Sequence, residues 1–435
     1  MSPRGVVAAL AAAALLLAAL PLGAQSPPPP DSDPSDLVNS LLAGLLGFGE
    51  MGESELQAEV ADVGGVAFKT PVPLEYMGRE QLGRYLKELF DSEYPPAEGE
   101  ADRRTLLAFD LLPAETDLRA LRARVLEENV VGFYDERPEK RRLYVVSEDK
   151  HLTPMNQLVL SHELRHALQD QYMNVHALVE DGVSDYDDRQ LALLSLLEGD
   201  ATFVMERFLT KRLPGEGLGA LADGGGVFGL GAMATAAVPG APPVVRDQLV
   251  LPYFAGRDFV QALFKRGGWD AVRAAWSRPP ASTEQVLHPE KYQAGEAPRA
   301  VRPPAGPAGA RLLREGVLGE ALIRTWLGEG SDSAAAGWGG DAFACFDVDG
   351  RTLLVWRSEW DSEGEAAEFL AAARKRLASM GTGAAAERGG YWVVARGERR
   401  FALGARAGGV EFVSADAAGV FDRAVSGLTR KPAAP

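Results

Sequence analysis

Leu82, Tyr85, Leu86, Leu89 and Phe90 recur at i, i+3, i+4, i+7 and i+8, the spacing of an apolar stripe on one side of a helix. Two further helical stretches are expected near residues 103–112 and 117–128. Ahead of them TPVPLEYM (70–77) reads as a strand, with its prolines at the start, where no ladder donor is needed. NVVGFYD and RRLYVVSE then flank the polar turn ERPEK, the pattern of a β-hairpin. A helix through VLSHELRHALQDQ (159–171) follows, with Thr153 or Asn156 as its N-cap. The next helix, about 189–213, centres on LALLSLLEGDATFVMERFL. It is apolar nearly all round, so it is expected to be buried.

Gly, Ala and Pro dominate residues 214–248, which predicts a loop or lid. The helical AGRDFVQALFKRGGWDAVRAAW comes next, then RPPASTEQVLHPEKY (278–292), expected as an ordered loop. APRAVRPPAGPAGA places a linker at 301–314. Beyond it the pattern alternates: a helix near 316–327, strands in DAFACFDV and RTLLVWRSEW, and a helix in SEGEAAEFLAAARKRLASM. Strands in YWVVARG, RRFALGA and GVEFVSA and a last helix complete a compact α+β domain at 315–430. The fold class is therefore α+β, with a larger domain at 61–300.

The N-terminus carries Arg4, the apolar run VVAALAAAALLLAAL, and small residues for cleavage after Ala24. These are the parts of an export signal at 1–24. The run is shorter than the ~20 residues of a membrane span, and no cysteine follows to take a lipid. A Pro-rich acidic linker and a short helix, LVNSLLAGLLGFG, fill 25–60. A secreted or periplasmic protein with no stable membrane span is expected.

Composition narrows the chemistry. A net charge of −16 gives no electrostatic footprint for nucleic acid and disfavours anionic membranes. The single cysteine, Cys345, excludes an intramolecular disulfide framework and a cysteine-rich zinc cluster. Any metal must be held by histidine and carboxylate.

His162 and His166, two of five histidines, stand i, i+4 on the expected helix, so both imidazoles lie on one face. Glu163 lies one step round, placed to reach the water of a metal ion without ligating it. Catalytic zinc needs a third protein ligand. A third histidine at the metzincin spacing is missing: those positions are Gln169 and Tyr172. Glu198 is the better candidate, since a carboxylate in so apolar a helix must be paired or ligating. Gly199 beside it suggests close approach of another backbone. Asp170 and Asp200 are equal candidates to orient a histidine.

HELRH followed by EGDA resembles the gluzincin metallopeptidases. More narrowly, the chain is similar to a peptidase-MA-like group of predicted exported bacterial proteins. VVGFYD, LSHELRHALQDQ, LLEGDATFVM, STEQVLHPEKY and AAAGWGGDAFACF carry that resemblance, over residues of about 65 to 370. It implies a mainly helical metallopeptidase core with a small N-terminal sheet, Zn2+ on His162, His166 and Glu198, and Glu163 as general base. It also implies an edge strand at 132–135 where a peptide or protein substrate pairs. Many gluzincins carry a carboxylate four residues after the third ligand; here that position is Thr202, and the carboxylate is Asp200.

The function expected is peptide-bond hydrolysis by a zinc-activated water, with His288 as first choice for oxyanion donor and Tyr292 and Tyr134 behind it. The alternative is a non-catalytic exported binding or structural protein with a metallopeptidase-like fold. His151 is expected at the surface and His176 in a structural role. Cys345, Trp338, Trp356 and Trp360 are expected in the core.

Overall fold

The computed structural model describes residues 49, 51–129, 132–146, 151–180, 187–211, 240–381 and 385–429. The expected signal at 1–24, residues 25–48 and 50 of the expected linker and short helix, and residues 214–239 of the Gly/Ala-rich loop lie outside the described residues. The fold is α+β. Among the described residues no helix is long and apolar enough to cross a membrane.

The first part opens with α1 (Glu53–Val63), β1 (Leu74–Met77), α2 (Arg79–Glu93), α3 (Pro96–Ala108) and α4 (Leu118–Asn129). The hairpin is β2 (Gly132–Asp135) against β3 (Arg142–Val146), antiparallel, with Tyr134 opposite Leu143. β1 pairs with β3 in parallel. The order β1-β3-β2 leaves β2 at an edge.

The two long helices are α5 (Pro154–Met173) and α7 (Asp188–Thr210), with the short α6 (Val175–Glu180) between them. Thr153 is the N-cap of α5. Its hydroxyl accepts from the Asn156 N–H at 3.1 Å, and Asn156 Oδ1 accepts from the Thr153 N–H at 3.1 Å, a reciprocal capping box. Pro154 occupies the first turn, where a missing N–H is harmless.

α8 (Pro243–Ser277) breaks at Gly267 and Gly268, where Gly268 has φ 60°. Residues 243–248, expected as loop, are its first turns: proline composition marks a helix start as readily as a loop. Likewise the expected loop at 278–292 holds two short helices, α9 (Thr283–Leu287) and α10 (Pro289–Ala294). Ser282 caps the first and Pro289 begins the second.

α7 and α8 touch backbone to backbone. A Cβ added on Gly199 would collide with the carbonyl of Gly256, and one on Gly256 with the carbonyl of Ser195. The glycine beside Glu198 is therefore explained by packing.

The second part comprises β4 (Arg311–Gly316), α11 (Gly319–Leu327), α12 (Asp332–Ala335), β5 (Trp338–Val348) and β6 (Arg351–Trp360). α13 (Glu363–Met380), β7 (Ala386–Arg388), β8 (Tyr391–Arg396), β9 (Arg399–Arg406), β10 (Gly409–Ala415) and α14 (Ala418–Thr429) complete it. The seven strands form one antiparallel sheet, β4-β5-β6-β10-β9-β8-β7. Phe343, Cys345, Trp356, Leu403 and Phe412 belong to the core on one face, packed with α11 and α13. Val355, Ala402 and Val413 pack with Val420 and Phe421 of α14 on the other. Trp338, Trp356, Trp360 and Cys345 are buried. Residues 311–314, expected as linker, belong to β4, whose outward positions give no apolar alternation to read.

The linker does not separate two cores. Phe109, just past α3, is fully buried and packs on Phe343, Trp356 and Phe412 at ring centroid distances of 5.3, 5.8 and 6.1 Å. Arg104 pairs with Asp347 at 2.6 Å and Arg314 with Asp102 at 2.5 Å across the same seam.

Gly256→Ala tests the helix contact. Alanine in a helix interior ordinarily gains about 1 kcal/mol over glycine. Here the added methyl meets backbone, and overpacking is expected to cost about 1–3 kcal/mol instead. Chemical denaturation of the variant reads the sign, and a raised midpoint would contradict the close crossing.

Candidate metal centre

α5 and α7 bring three donors together. His162 Nε2 lies 3.1 Å from Glu198 Oε2, His166 Nε2 lies 3.4 Å from the same oxygen, and the two Nε2 atoms are 3.0 Å apart. His162 and Glu198 are each 1% exposed, and the His166 side chain 16%. These three groups could hold a metal ion. One helical turn sets the histidines side by side, and the glycine crossing behind α7 seats the glutamate opposite them.

Burial favours neutral His162. His166 is held above its usual range: burial opposes its charge, but the charge of Glu198 and its hydrogen bond outweigh that. Glu198 is correspondingly held low by the two histidines against its own burial.

Glu163 lies next along α5, 2% exposed. Its Oε2 accepts the backbone N–H of Tyr134, on the edge strand β2, at 2.9 Å. Burial pushes its pKa up to about 7; the charge of His166 and the Tyr134 amide oppose the rise, while Glu198 and Glu136 add to it. Glu136, just past β2, is also pushed up to about 7, chiefly by burial. Three buried polar atoms here have no hydrogen-bond partner: Glu163 Oε1, Glu198 Oε1 and His162 Nδ1.

The groups that steer the cluster differ from those expected. Neither Asp170 nor Asp200 hydrogen-bonds a histidine. Gln169 does, with its Oε1 2.9 Å from His166 Nδ1. Gln169 is held in turn by its amide donating to Leu197 O at 2.9 Å and to Asp200 Oδ2 at 3.0 Å. Asp200, fully buried, also accepts both arms of Arg165 at 2.9 Å and the Trp276 indole N–H at 3.0 Å. Asp200 therefore reaches His166 only through Gln169. Asp170 accepts the Tyr134 hydroxyl at 3.0 Å and the Val175 N–H at 3.0 Å, and it pairs with Arg141. It ties α5 to the edge strand.

The expected oxyanion donors are also committed elsewhere. His288 sits between α9 and α10 with Nε2 3.0 Å from Glu320, a fully buried residue of α11. Its pKa is raised by that hydrogen bond. The Tyr292 hydroxyl donates to Arg278 O at 2.9 Å, and its ring stands edge-on to Phe259. The Tyr134 hydroxyl is taken by Asp170. None of these side chains hydrogen-bonds the cluster.

Tyr253 of α8, which sequence reasoning did not single out, does reach it. Its ring stacks on His162 at 5.9 Å and 14°. Its hydroxyl is buried beside the Glu198 carboxylate, and burial, then the charges of Glu198 and Glu163 and the contact with Glu198, hold its pKa well up. It is a neutral phenol facing two carboxylates.

Among the described residues a second cluster of metal-ligating type, Glu284, Glu296 and Asp361, is closed by the chain itself. Lys291 Nζ sits 2.6, 3.0 and 2.9 Å from their oxygens.

Asp200→Asn is expected to cost about 3–5 kcal/mol, because it leaves the buried Arg165 guanidinium without its counter-charge. The denaturation midpoint measures this, and a loss below about 1 kcal/mol, as for a surface pair, would contradict the placement.

Residues 310–424, the C-terminal sheet with its helices, match the family model described as a domain of unknown function (DUF8575). The match covers well under half of the chain and does not include the cluster. No curated protein and no solved structure matches the chain.

Proposed function

We propose that the chain is an exported zinc-dependent metallopeptidase that hydrolyses peptide bonds, with His162, His166 and Glu198 as metal ligands and Glu163 as general base. The observation that carries this reading is the mutual spacing of the three donors, 3.0, 3.1 and 3.4 Å. A tetrahedral zinc ion with bonds of about 2.0–2.1 Å needs ligand atoms about 3.3 Å apart. The donor set, two neutral-capable imidazoles and one carboxylate, suits zinc, and so does the unpartnered Glu198 Oε1. When bound, zinc supplies Lewis acidity that polarises a carbonyl and lowers the pKa of water.

The chain's own groups suit the remaining work. Tyr134 N–H holds one oxygen of Glu163 and leaves Oε1 free. The position of Glu163 beside the donor cluster suits it to take a proton from water and return it to a leaving amine. Gln169 fixes which nitrogen of His166 carries its proton: Nδ1–H donates to the amide oxygen, and Nε2 is left as the ligand. β2 is an edge strand beside Glu163, the place where an extended peptide adds by backbone pairing. The pattern of residues 1–24 supports export.

A second reading, a non-catalytic exported protein in which the cluster braces the fold, is favoured by the near-complete burial of His162, Glu163 and Glu198.

Protein purified without chelator is expected to carry about one equivalent of zinc, lost in His162→Ala. Glu163→Gln should keep the zinc and lose about 10²–10⁴-fold in cleavage of a peptide library. Equal cleavage by variant and wild type would overturn the assignment of Glu163. Stoichiometric zinc with no cleavage by either would select the bracing role.

Gln169→Leu separates steering from ligation. It should weaken zinc about 10–100-fold in a chelator competition while all three ligands remain.

A further inference from the structure

Where α3 passes the end of the C-terminal sheet, the apolar contact around Phe109 gives way to a cavity of about 310 Å3. Arg103 and Arg104 line it from α3; Thr352, Ser414 and Arg399 line it from the neighbouring strands β6, β10 and β9. Thr352, Ser414 and Arg399 stand two residues from Leu354, Phe412 and Phe401, so they continue the same sheet face beyond its apolar part. Glu100 and Asp416 also line the cavity. None of His162, Glu163, His166 or Glu198 does.

Three guanidiniums and two carboxylates line the cavity, and Asp347 and Asp110 stand just outside it, 2.6 Å from Arg104 and 4.0 Å from Arg399. Asp416 already accepts the Thr352 N–H at 3.0 Å, and Glu100 stands 3.6 Å from Arg103. Arg104 gives Nε to Thr352 at 3.0 Å and Nη1 to Asp347 at 2.6 Å, but its Nη2 is buried with no partner. Ser414 is 1% exposed, and its hydroxyl is likewise unpartnered. Arg399 gives Nη1 to Leu107 O at 2.6 Å. Burial lowers its pKa, against the charges of Asp110 and Asp416 and with that of Arg396.

We propose that this cavity binds a small organic dianion, a phosphate monoester or a dicarboxylate, held by Arg104, Arg399 and the Ser414 hydroxyl. Guanidinium forks match carboxylate and phosphate oxygens in pairs. The volume stands at the small end of ligand sites, more than a bare ion fills and enough for a ligand of a few carbons. Because the walls come from α3 and from the sheet, the ligand bridges the two parts of the chain. The site is independent of the metal reading.

Isothermal titration of the full chain at low salt with inorganic phosphate, glycerol 3-phosphate and malate tests it, against chloride at matched ionic strength. Saturable binding of glycerol 3-phosphate or malate, tighter than inorganic phosphate, is expected; which of the two is preferred tells phosphate from carboxylate. Ser414→Ala and Arg399→Gln should each weaken it about 10–100-fold. Arg103→Glu reverses a partly exposed charge, leaves the buried bonds intact, and should weaken it in protein of wild-type stability. No saturable binding by any probe would overturn the proposal. So would affinities unchanged in Arg103→Glu and Ser414→Ala, or inorganic phosphate binding as tightly as both organic anions.

Discussion

The buried pair of Arg165 and Asp200 fixes how α5 meets α7, and the donor cluster depends on it. Arg165 lies one residue before His166, and Asp200 two after Glu198, so the pair registers the two helices beside the donor cluster. The guanidinium is clamped between the rings of Trp269 and Trp276 at 4.9 and 4.7 Å, and it also donates to Gly64 O at the end of α1. Four helices, α1, α5, α7 and α8, thus converge on one charge pair. An isolated ion in such a place is untenable; a pair in which each guanidinium nitrogen and each carboxylate oxygen has a hydrogen-bond partner is rigid and directional. That rigidity passes through Gln169 to the imidazole of His166.

This dependence explains what the sequence did and did not reveal of the site. HELRH is legible because i, i+4 on a helix is a local rule. Glu198 is legible because a buried carboxylate in so apolar a helix demands a partner. Gln169 was missed because an uncharged amide in a helix carries no such demand. Asp170 and Gln169 stand four and three residues after His166, and both spacings reach it. What chooses between them is tertiary: the Tyr134 hydroxyl claims Asp170, and Asp200 claims the Gln169 amide. Tyr253 lies more than fifty residues beyond Glu198 in a helix of mixed pattern, and only the α7–α8 glycine crossing brings it onto His162.

At the level of the fold, the elements with strong periodicity were legible. These include the stripe of α2, the hairpin and the C-terminal strands. Proline and glycine misled where they serve helix starts and edge strands: residues 243–248, α9, α10 and the first residues of β4. The break near residue 300 is a break in composition and not in packing. Phe109 carries no mark distinguishing it from any other helix-end aromatic, yet it fills the sheet's aromatic core, with Trp326 donating its indole N–H to Phe109 O at 2.9 Å. Once that plug is in place, the polar ends of β6, β10 and β9 must face α3, and the arginine-lined cavity follows from where the apolar rows stop.

The two clusters of ligating type show contrasting ways of holding anionic groups together. At Glu284, Glu296 and Asp361 the chain brings in its own cation, and the Lys291 ammonium satisfies all three oxygens. At Glu198 no lysine or arginine among the described residues reaches the carboxylate; Arg165, on the same helix as the histidines, is turned to Asp200 instead. Two imidazole nitrogens 3.0 Å apart share at most one proton between them, and Glu163 Oε1, Glu198 Oε1 and His162 Nδ1 go without partners. Each such buried orphan costs about 1–3 kcal/mol. A fold that needed only bracing could close the gap with a lysine, as it does elsewhere. At the histidine pair the chain instead leaves these polar atoms facing one another, without a cation of its own among the described residues to close the cluster.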